Sequence, residues 1–260
     1  MIESTHQSLN AEPLISIITI TYNAAPHIKP TLSSIQEQTF RNFEHLVIDG
    51  ASTDNTLKLV SEMSPHSIVK SEPDKGLYDA MNKGLRQARG RFVLFLNAGD
   101  AFHAPDTLAK YAEAILESGF TPDIVYGDTV IVNSRREVTG PRHLSVPGKL
   151  TFQSFANGML VCHQSFMVRR ELAPEYNLNY RFSADYEWTL RCLRRSDPDK
   201  NVNLHCVVTD YLSDGLTDKN HKASLKERYR IMCDNYGTVP TMLRHVYFAL
   251  RNLKKKLGSH

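Results

Sequence analysis

Arg91-Phe92-Val93-Leu94-Phe95-Leu96-Asn97-Ala98-Gly99-Asp100 is the stretch that decides the fold. Its apolar run is short, begins after Gly90 and stops at a small polar turn. That is the pattern of a strand buried on both faces of a parallel sheet. In open α/β sheets, ligands sit outside the carboxyl ends of the strands. Asn97 and Asp100 therefore stand where chemistry is expected. A carboxylate beside a glycine can hold a hard divalent cation, which in turn holds phosphate oxygens. Asn, Gly and Asp also make ordinary turns, so the reading depends on the neighbouring strands.

Those neighbours repeat the pattern. Pro13 opens a strand over Leu14–Ile20, rich in β-branched residues, that ends at Thr21-Tyr22-Asn23. A helix from Pro26 to Gln38 follows, with proline near its start. The strand Glu44–Ile48 ends at Asp49-Gly50-Ala51-Ser52, after which polar caps start a helix reaching Met63. A short strand, Ser67–Lys70, leads to Ser71-Glu72-Pro73-Asp74-Lys75-Gly76 and a helix over Leu77–Ala88. The β-α-β-α-β-α-β order predicts a parallel sheet with right-handed crossovers. The strand ends then share one edge and, with Asp74, form a crevice holding an aromatic ring, hydrogen-bonding groups and carboxylates. A nucleotide fits it: a ring to stack on, an imide and ribose to hydrogen-bond, a diphosphate that needs a cation. Helix capping alone explains Thr53, Asp54 and Thr56 well, and Asp49 and Asp100 less well.

Whole-chain features narrow the class. With 260 residues the chain is one large domain, or one with an appendage. No apolar run approaches the roughly 20 residues of a membrane span. Met1 to Glu12 is polar, which predicts a flexible arm and a cytoplasmic protein. Cys162, Cys192, Cys206 and Cys233 form no C-x-x-C pair, so neither a zinc site nor a disulfide framework is expected. Walker A, G-x-G-x-x-G and H-E-x-x-H patterns are missing, and no nucleic-acid partner is expected. The net charge of +3 conceals an asymmetry: Lys219 to His260 holds ten Lys or Arg against two acids, a balance of +8. The rest of the chain is therefore negative.

Four segments in order carry a resemblance: Ile17 to Asn23, Val47 to Thr56, Ser71 to Gly84 and Leu94 to Asp100. Together they resemble the signatures of family 2 glycosyltransferases, and Ser71 to Gly84 is similar to a bacterial exopolysaccharide-building subgroup of the colanic-acid type. The resemblance is most specific over 14–100 and continues more loosely to about 215. It implies a GT-A fold, meaning a Rossmann-like, mostly parallel mixed sheet flanked by helices. It also implies a nucleotide-sugar donor, Mn²⁺ or Mg²⁺, and inversion at the anomeric carbon. By the same resemblance Thr21, Tyr22 and Asp49 would face the base or ribose, with Asn23, Ser52 and Lys75 in the same donor crevice. Asp74 would close it, and Asp100 would serve the metal and diphosphate, with Asn97 nearby. Two departures stand out. Gly50 occupies the place of a second acid, and the D-x-D acids are thinned to Asn97 and Asp100. Such a metal would borrow ligands from the diphosphate and water.

Beyond Asp100 the pattern predicts a helix over Pro105–Ser118, a strand over Asp123–Asp128, a hairpin around Asn133-Ser134-Arg135-Arg136, and an irregular acceptor-side loop at 146–160. His163 and Gln164 are candidates for phosphate or acceptor, and a histidine making one structural hydrogen bond is the other reading. Ser183 can cap a helix starting at Ala184, which puts Asp185 in its first turn. An acid there suits the helix dipole without any function, whereas the resemblance makes Asp185 the general base. Trp188 either stacks on a sugar or packs in the core. Arg191 either holds phosphate or is a surface charge. A strand over Val202–Val208 leads to Asp210–Thr217, which is either a lid over the donor or a linker.

The tail repeats Leu243, Val246, Tyr247, Leu250, Leu253 and Leu257 at helical spacing, with basic residues on the other face. A basic amphipathic helix over 241–257 reads as a peripheral anchor on an anionic membrane, or as a helix docked on its own domain or a partner. The expected plan is an arm (1–12), a glycosyltransferase domain (13–217) and a basic tail (218–260). Within the domain, 13–100 is the nucleotide-binding half and 101–217 the acceptor half. The expected substrates are a nucleotide sugar, most simply UDP-linked, and a glycan or lipid-linked acceptor. The rival readings are a sugar nucleotidyltransferase and a non-catalytic nucleotide-sugar-binding scaffold. The first would need a Gly-rich loop that Thr21-Tyr22-Asn23-Ala24-Ala25 does not supply.

Overall fold

The computed structural model describes residues 12–213 and 221–257, with side chains over 12–213 and 222–248. The expected arm, except Glu12, and the loop 214–217 lie outside the described residues. Strands β1 (Ile15–Thr21), β2 (Phe43–Asp49), β3 (Ile68–Ser71) and β4 (Phe92–Phe95) pair in parallel in the order β3-β2-β1-β4. Every residue of β1 and β4 is buried, as an apolar run covered on both faces requires. Alternation divides them between two layers. Ile18, Ile20, Val93 and Phe95 share one cluster with Met81, whereas Ile15, Ile17, Phe92 and Leu94 share another with Ile35, Leu108 and Tyr111. The helices supplying those layers are α1 (Ile28–Gln36), α3 (Leu77–Gln87) and α4 (Thr107–Glu117); α2 (Thr56–Met63) packs on α1.

Beyond β4 the sheet turns mixed. Strands β5 (Ala101–Phe102), β6 (Ile124–Val132), β7 (Val138–Pro141), β8 (Phe166–Arg169) and β9 (Asn201–Leu212) continue it as β4-β8-β6-β9-β5, with β7 paired on β6. Three details differ from the sequence expectation. The two-residue β5 has no readable periodicity. β6 reaches Val132. β9 runs to Leu212, because Thr209 to Leu212 pair with Thr129 to Val132; the segment expected to be loop from Asp210 is therefore strand at its start.

The chain closes with α5 (Ala184–Arg195), α6 (His221–Tyr236) and α7 (Thr238–Leu257). Ser183 does not cap α5 with its side chain. Its hydroxyl bonds Ser224, while the Glu227 carboxylate of α6 accepts from the backbone N–H groups of Arg181, Phe182 and Ser183 at 2.8–3.0 Å. A distant carboxylate thus satisfies the orphan donors ahead of the helix. All four cysteines are free thiols. Among the described residues, no helix is long and apolar enough to cross a membrane.

Candidate active site

The ends of β1, β2 and β3 are drawn together by Asp49. Its Oδ1 accepts from the hydroxyls of Thr21 and Ser52, and its Oδ2 from Ser52 N–H and the Ser71 hydroxyl, at 2.5–2.9 Å. Four bonds use the whole accepting capacity of a carboxylate. Burial pushes the Asp49 pKa up, but bonds from Ser52, Ser71 and Thr21 outweigh it and leave the value below the ordinary range. With no exposed surface, Asp49 is an ionised clamp whose lone pairs are taken by the strand ends around it. Thr21 and Ser52 are spent on it. Asn23 is likewise a brace: its Oδ1 accepts from Thr53 N–H and its own N–H donates to Ser52 Oγ.

The open groups at this edge are Tyr22 and Asp74. Tyr22 is 68% exposed. Gly50 lies between them, and a Cβ placed there would meet Asp74 Oδ2 at 2.4 Å and Tyr22 Cδ2 at 3.3 Å. The glycine that stands in place of a second acid therefore makes room for the Asp74 carboxylate, which arrives from the next strand end. Gly76 N–H holds Asp74 Oδ1 at 2.8 Å. An exposed ring beside a carboxylate offers stacking and an acceptor for an imide N–H or ribose hydroxyl. Lys75 is exposed in the same turn.

The segment after this turn ties this edge to the rest of the site. Lys83 Nζ donates to Pro73 O, and Asn82 makes paired bonds with the backbone N–H and C=O of Tyr176. Gly84 lets α3 approach the sheet, since a Cβ there would meet Ile18 Cγ2 at 2.5 Å. Tyr78 donates its hydroxyl to Asp185 Oδ1 at 3.3 Å. Burial, then the Asp185 charge, push the Tyr78 pKa well above its ordinary value, so it stays a donor. Asp185 Oδ1 also accepts from Tyr186 N–H, and Oδ2 takes no hydrogen bond among the described residues.

Beneath Asp185 lies an aromatic core. Trp188 is fully buried, stacks on Tyr176 at 5.0 Å and donates Nε1–H to Pro174 O. It presents no face to a sugar, which settles its two readings for the core. His163 packs against Phe95 and Trp188, bonds the Tyr176 hydroxyl through Nε2, and has its pKa pulled to about 4 by burial. His163 is thus nearly buried, with Nε2 committed to Tyr176 and its ring packed among aromatics, the arrangement of a structural histidine. Arg191 is held by Glu187 in a bidentate pair and by Glu175 O, so its guanidinium is committed to structure.

At the β4 end, Thr31 Oγ1 accepts from Gly99 N–H and donates to Asp100 O. The Asp100 carboxylate is nearly buried. Its Oδ1 accepts from Leu212 N–H and its Oδ2 from Gln164 Nε2. Gln164 thus positions the Asp100 carboxylate. Burial pushes the Asp100 pKa up to about 7. Arg136 donates to Gly99 O at 2.7 Å and adds positive charge beside Asp100. Among the described residues no cluster of three His, Cys, Asp or Glu can hold a metal. The Asn97 Oδ1, however, is buried without a hydrogen-bond partner. That orphan acceptor, three residues before a carboxylate with unused lone pairs, fits a hard cation that takes its other ligands from diphosphate and water.

Sequence reasoning missed Tyr78, Glu227 and Arg136. Tyr78 lay inside a recognised motif without a role, and the other two carry no local pattern.

A parallel edge of polar strand ends joined to a mixed extension, with a carboxylate in the first turn of α5, is the architecture of a glycosyltransferase fold of GT-A type. Comparison with known proteins agrees. The Glycosyl transferase family 2 model matches residues 16–176, and the chain belongs to that family. It is 36% identical over 222 residues to a PGL/p-HBAD biosynthesis glycosyltransferase of Mycobacterium bovis, covering 80% of this chain and 82% of that one. It is 28% identical over 253 residues to the Escherichia coli UDP-Glc:alpha-D-GlcNAc-diphosphoundecaprenol beta-1,3-glucosyltransferase WfgD, covering 95% of each. In fold it matches S. aureus TarS 1-349 in complex with UDP-GlcNAc, with a TM-score of 0.67 at 20% identity, over 90% of this chain and 73% of that one. The Mycobacterium tuberculosis glucosyl-3-phosphoglycerate synthase complex with Mn²⁺ and UDP matches with a TM-score of 0.61 at 16% identity, over 86% and 80%.

Proposed function

We propose that this glycosyltransferase transfers one sugar from a UDP-sugar, with inversion, to a hydroxyl of a lipid-diphosphate-linked glycan in cell-envelope exopolysaccharide assembly. The observation that carries the reading is Asp185, held by Tyr78 on the helix that begins just after the Asp74 turn. The base stacks on Tyr22 and bonds Asp74, in the half formed by 13–100; the acceptor enters over 101–217. The acceptor hydroxyl attacks the anomeric carbon, its proton passes to Asp185, and the bond from that carbon to the diphosphate oxygen breaks on the opposite face. Asn97 and Asp100 would hold Mn²⁺ or Mg²⁺, which neutralises charge on the leaving diphosphate when bound. UDP as carrier is supported by the nucleotide in the TarS neighbour and the donor in the name of the WfgD relative. That same name supports the lipid-diphosphate acceptor and, with it, work at the cytoplasmic membrane face.

The test is product NMR after incubation with α-linked UDP-sugars and a synthetic lipid-diphosphate-linked monosaccharide. A β-linked disaccharide is expected. An α-linked product would overturn inversion, and bound UDP-sugar with no product from any lipid-linked acceptor would overturn the acceptor class.

A further inference from the structure

The helix α7 is amphipathic in an unusual sense: its apolar stripe faces away from the protein. Val239, Met242, Leu243, Val246 and Tyr247 lie on one helical face and are 51–62% exposed. The other face does the docking. Thr241 is fully buried, Arg244 donates to Asn157 Oδ1, the His245 ring meets Tyr229, and Phe248 packs against the main core. A helix that only completed its own domain would turn these faces the other way.

The surroundings say what covers the stripe. From Thr238 to His260 the sequence has five Lys or Arg and no acid, and Leu250, Leu253 and Leu257 continue the apolar spacing. Two copies meeting through this face would bring like charges together, whereas an anionic lipid surface complements both the charge and the apolar stripe. The position also suits a lipid-borne substrate. Arg244 holds the loop containing Asn157, Tyr236 of α6 holds Phe152 O, and Glu227 of α6 holds the backbone just ahead of Asp185.

We infer that the outward face of α7 is a docking surface for an anionic membrane leaflet, which brings the Asp185 end of the site to a lipid-linked acceptor. The inference rests on the proposed function for the nature of that acceptor.

Flotation of the 260-residue chain with vesicles of phosphatidylcholine, with or without about a third phosphatidylglycerol, tests it. The wild type should float with the anionic vesicles, be released as salt is raised, and stay behind with pure phosphatidylcholine. The exposed-face variant Leu243→Glu/Val246→Glu/Tyr247→Glu and the charge variant Lys254→Gln/Lys255→Gln/Lys256→Gln should each bind about tenfold more weakly or worse. Both should keep the wild-type melting temperature and UDP affinity. Wild type that ignores anionic vesicles, or a Glu variant that binds them equally well, would overturn the inference. So would a wild-type dimer that the Glu variant splits, since the face would then belong to a second copy. UDP affinity measured on the same samples separates the two proposals: its loss with vesicle binding intact would count against the transferase reading and not against the docking surface.

Discussion

The Tyr78 hydroxyl reaches Asp185 Oδ1 at 3.3 Å across 107 residues of sequence, joining the first turn of α3 to the carboxylate at the start of α5. If Asp185 takes the acceptor proton, Asp185→Asn should lower turnover about 10²–10⁴-fold and leave UDP affinity within about twofold. Tyr78→Phe should lower kcat by less, roughly tenfold at most, with UDP affinity unchanged, because Asp185 Oδ1 loses the hydroxyl that orients it. Steady-state assays, with calorimetry for UDP, check both. An unchanged kcat in Tyr78→Phe would mean that the bond is structural only.

The contact between Gly50 and Asp74 makes a different prediction. A methyl at position 50 has no room beside Asp74 Oδ2, so Gly50→Ala should displace that carboxylate. Its UDP affinity should drop about as far as that of Asp74→Ala, roughly tenfold for one charge-assisted hydrogen bond. The double variant should fall no further, since both changes remove the same interaction. Additive losses by calorimetry would separate the two residues.

Glu227 serves three backbone N–H groups ahead of α5. Glu227→Ala leaves part-buried donors unpaired at about 1–3 kcal/mol, a drop of about 2–4 °C in Tm per kcal/mol. It should also lower kcat while UDP affinity holds, because the disturbed segment carries Asp185. Calorimetric melting and UDP titration read the two effects separately.

Acid should destabilise the protein below neutrality. Burial holds His45 and His163 at about 4, against 6.5 when unfolded. Between those values the unfolded chain binds the extra protons, so stability falls as pH drops, by roughly 3 kcal/mol for each histidine over the full window. Asp100 opposes this: its native pKa of about 7 lies above the unfolded value, so it holds its proton in the native state over the same range. Two histidines outweigh one carboxylate. Urea midpoints at pH 7.5 and 4.5 should therefore differ in favour of pH 7.5, and His45→Gln should narrow the gap.

The fold was legible because its strands are apolar runs with polar ends, a pattern that alternation and burial dictate. Family 2 membership was legible for the same reason, since its signatures are those strand ends. The site was less so. Asp49 looks like a ligand in sequence, but the hydroxyls that saturate it come from three separate strand ends. Trp188 and His163 look like surface chemistry until the mixed half of the sheet buries them. Tyr78 and Glu227 acquire their roles only through contacts more than forty residues away, and no local pattern encodes such distances. In α7 the apolar spacing was visible, but not that it would face outward.

The central claim is sugar transfer from a nucleotide donor with Asp185 as base. Nucleotide release from UDP-, GDP- and dTDP-sugars, with Mn²⁺, Mg²⁺ or EDTA and a lipid-linked acceptor, tests it most directly in wild type and Asp185→Asn. The account predicts release from a UDP-sugar by the wild type, and UDP binding without release by the variant. Equal release by the two proteins, or no nucleotide binding by the wild type under any condition, would contradict it.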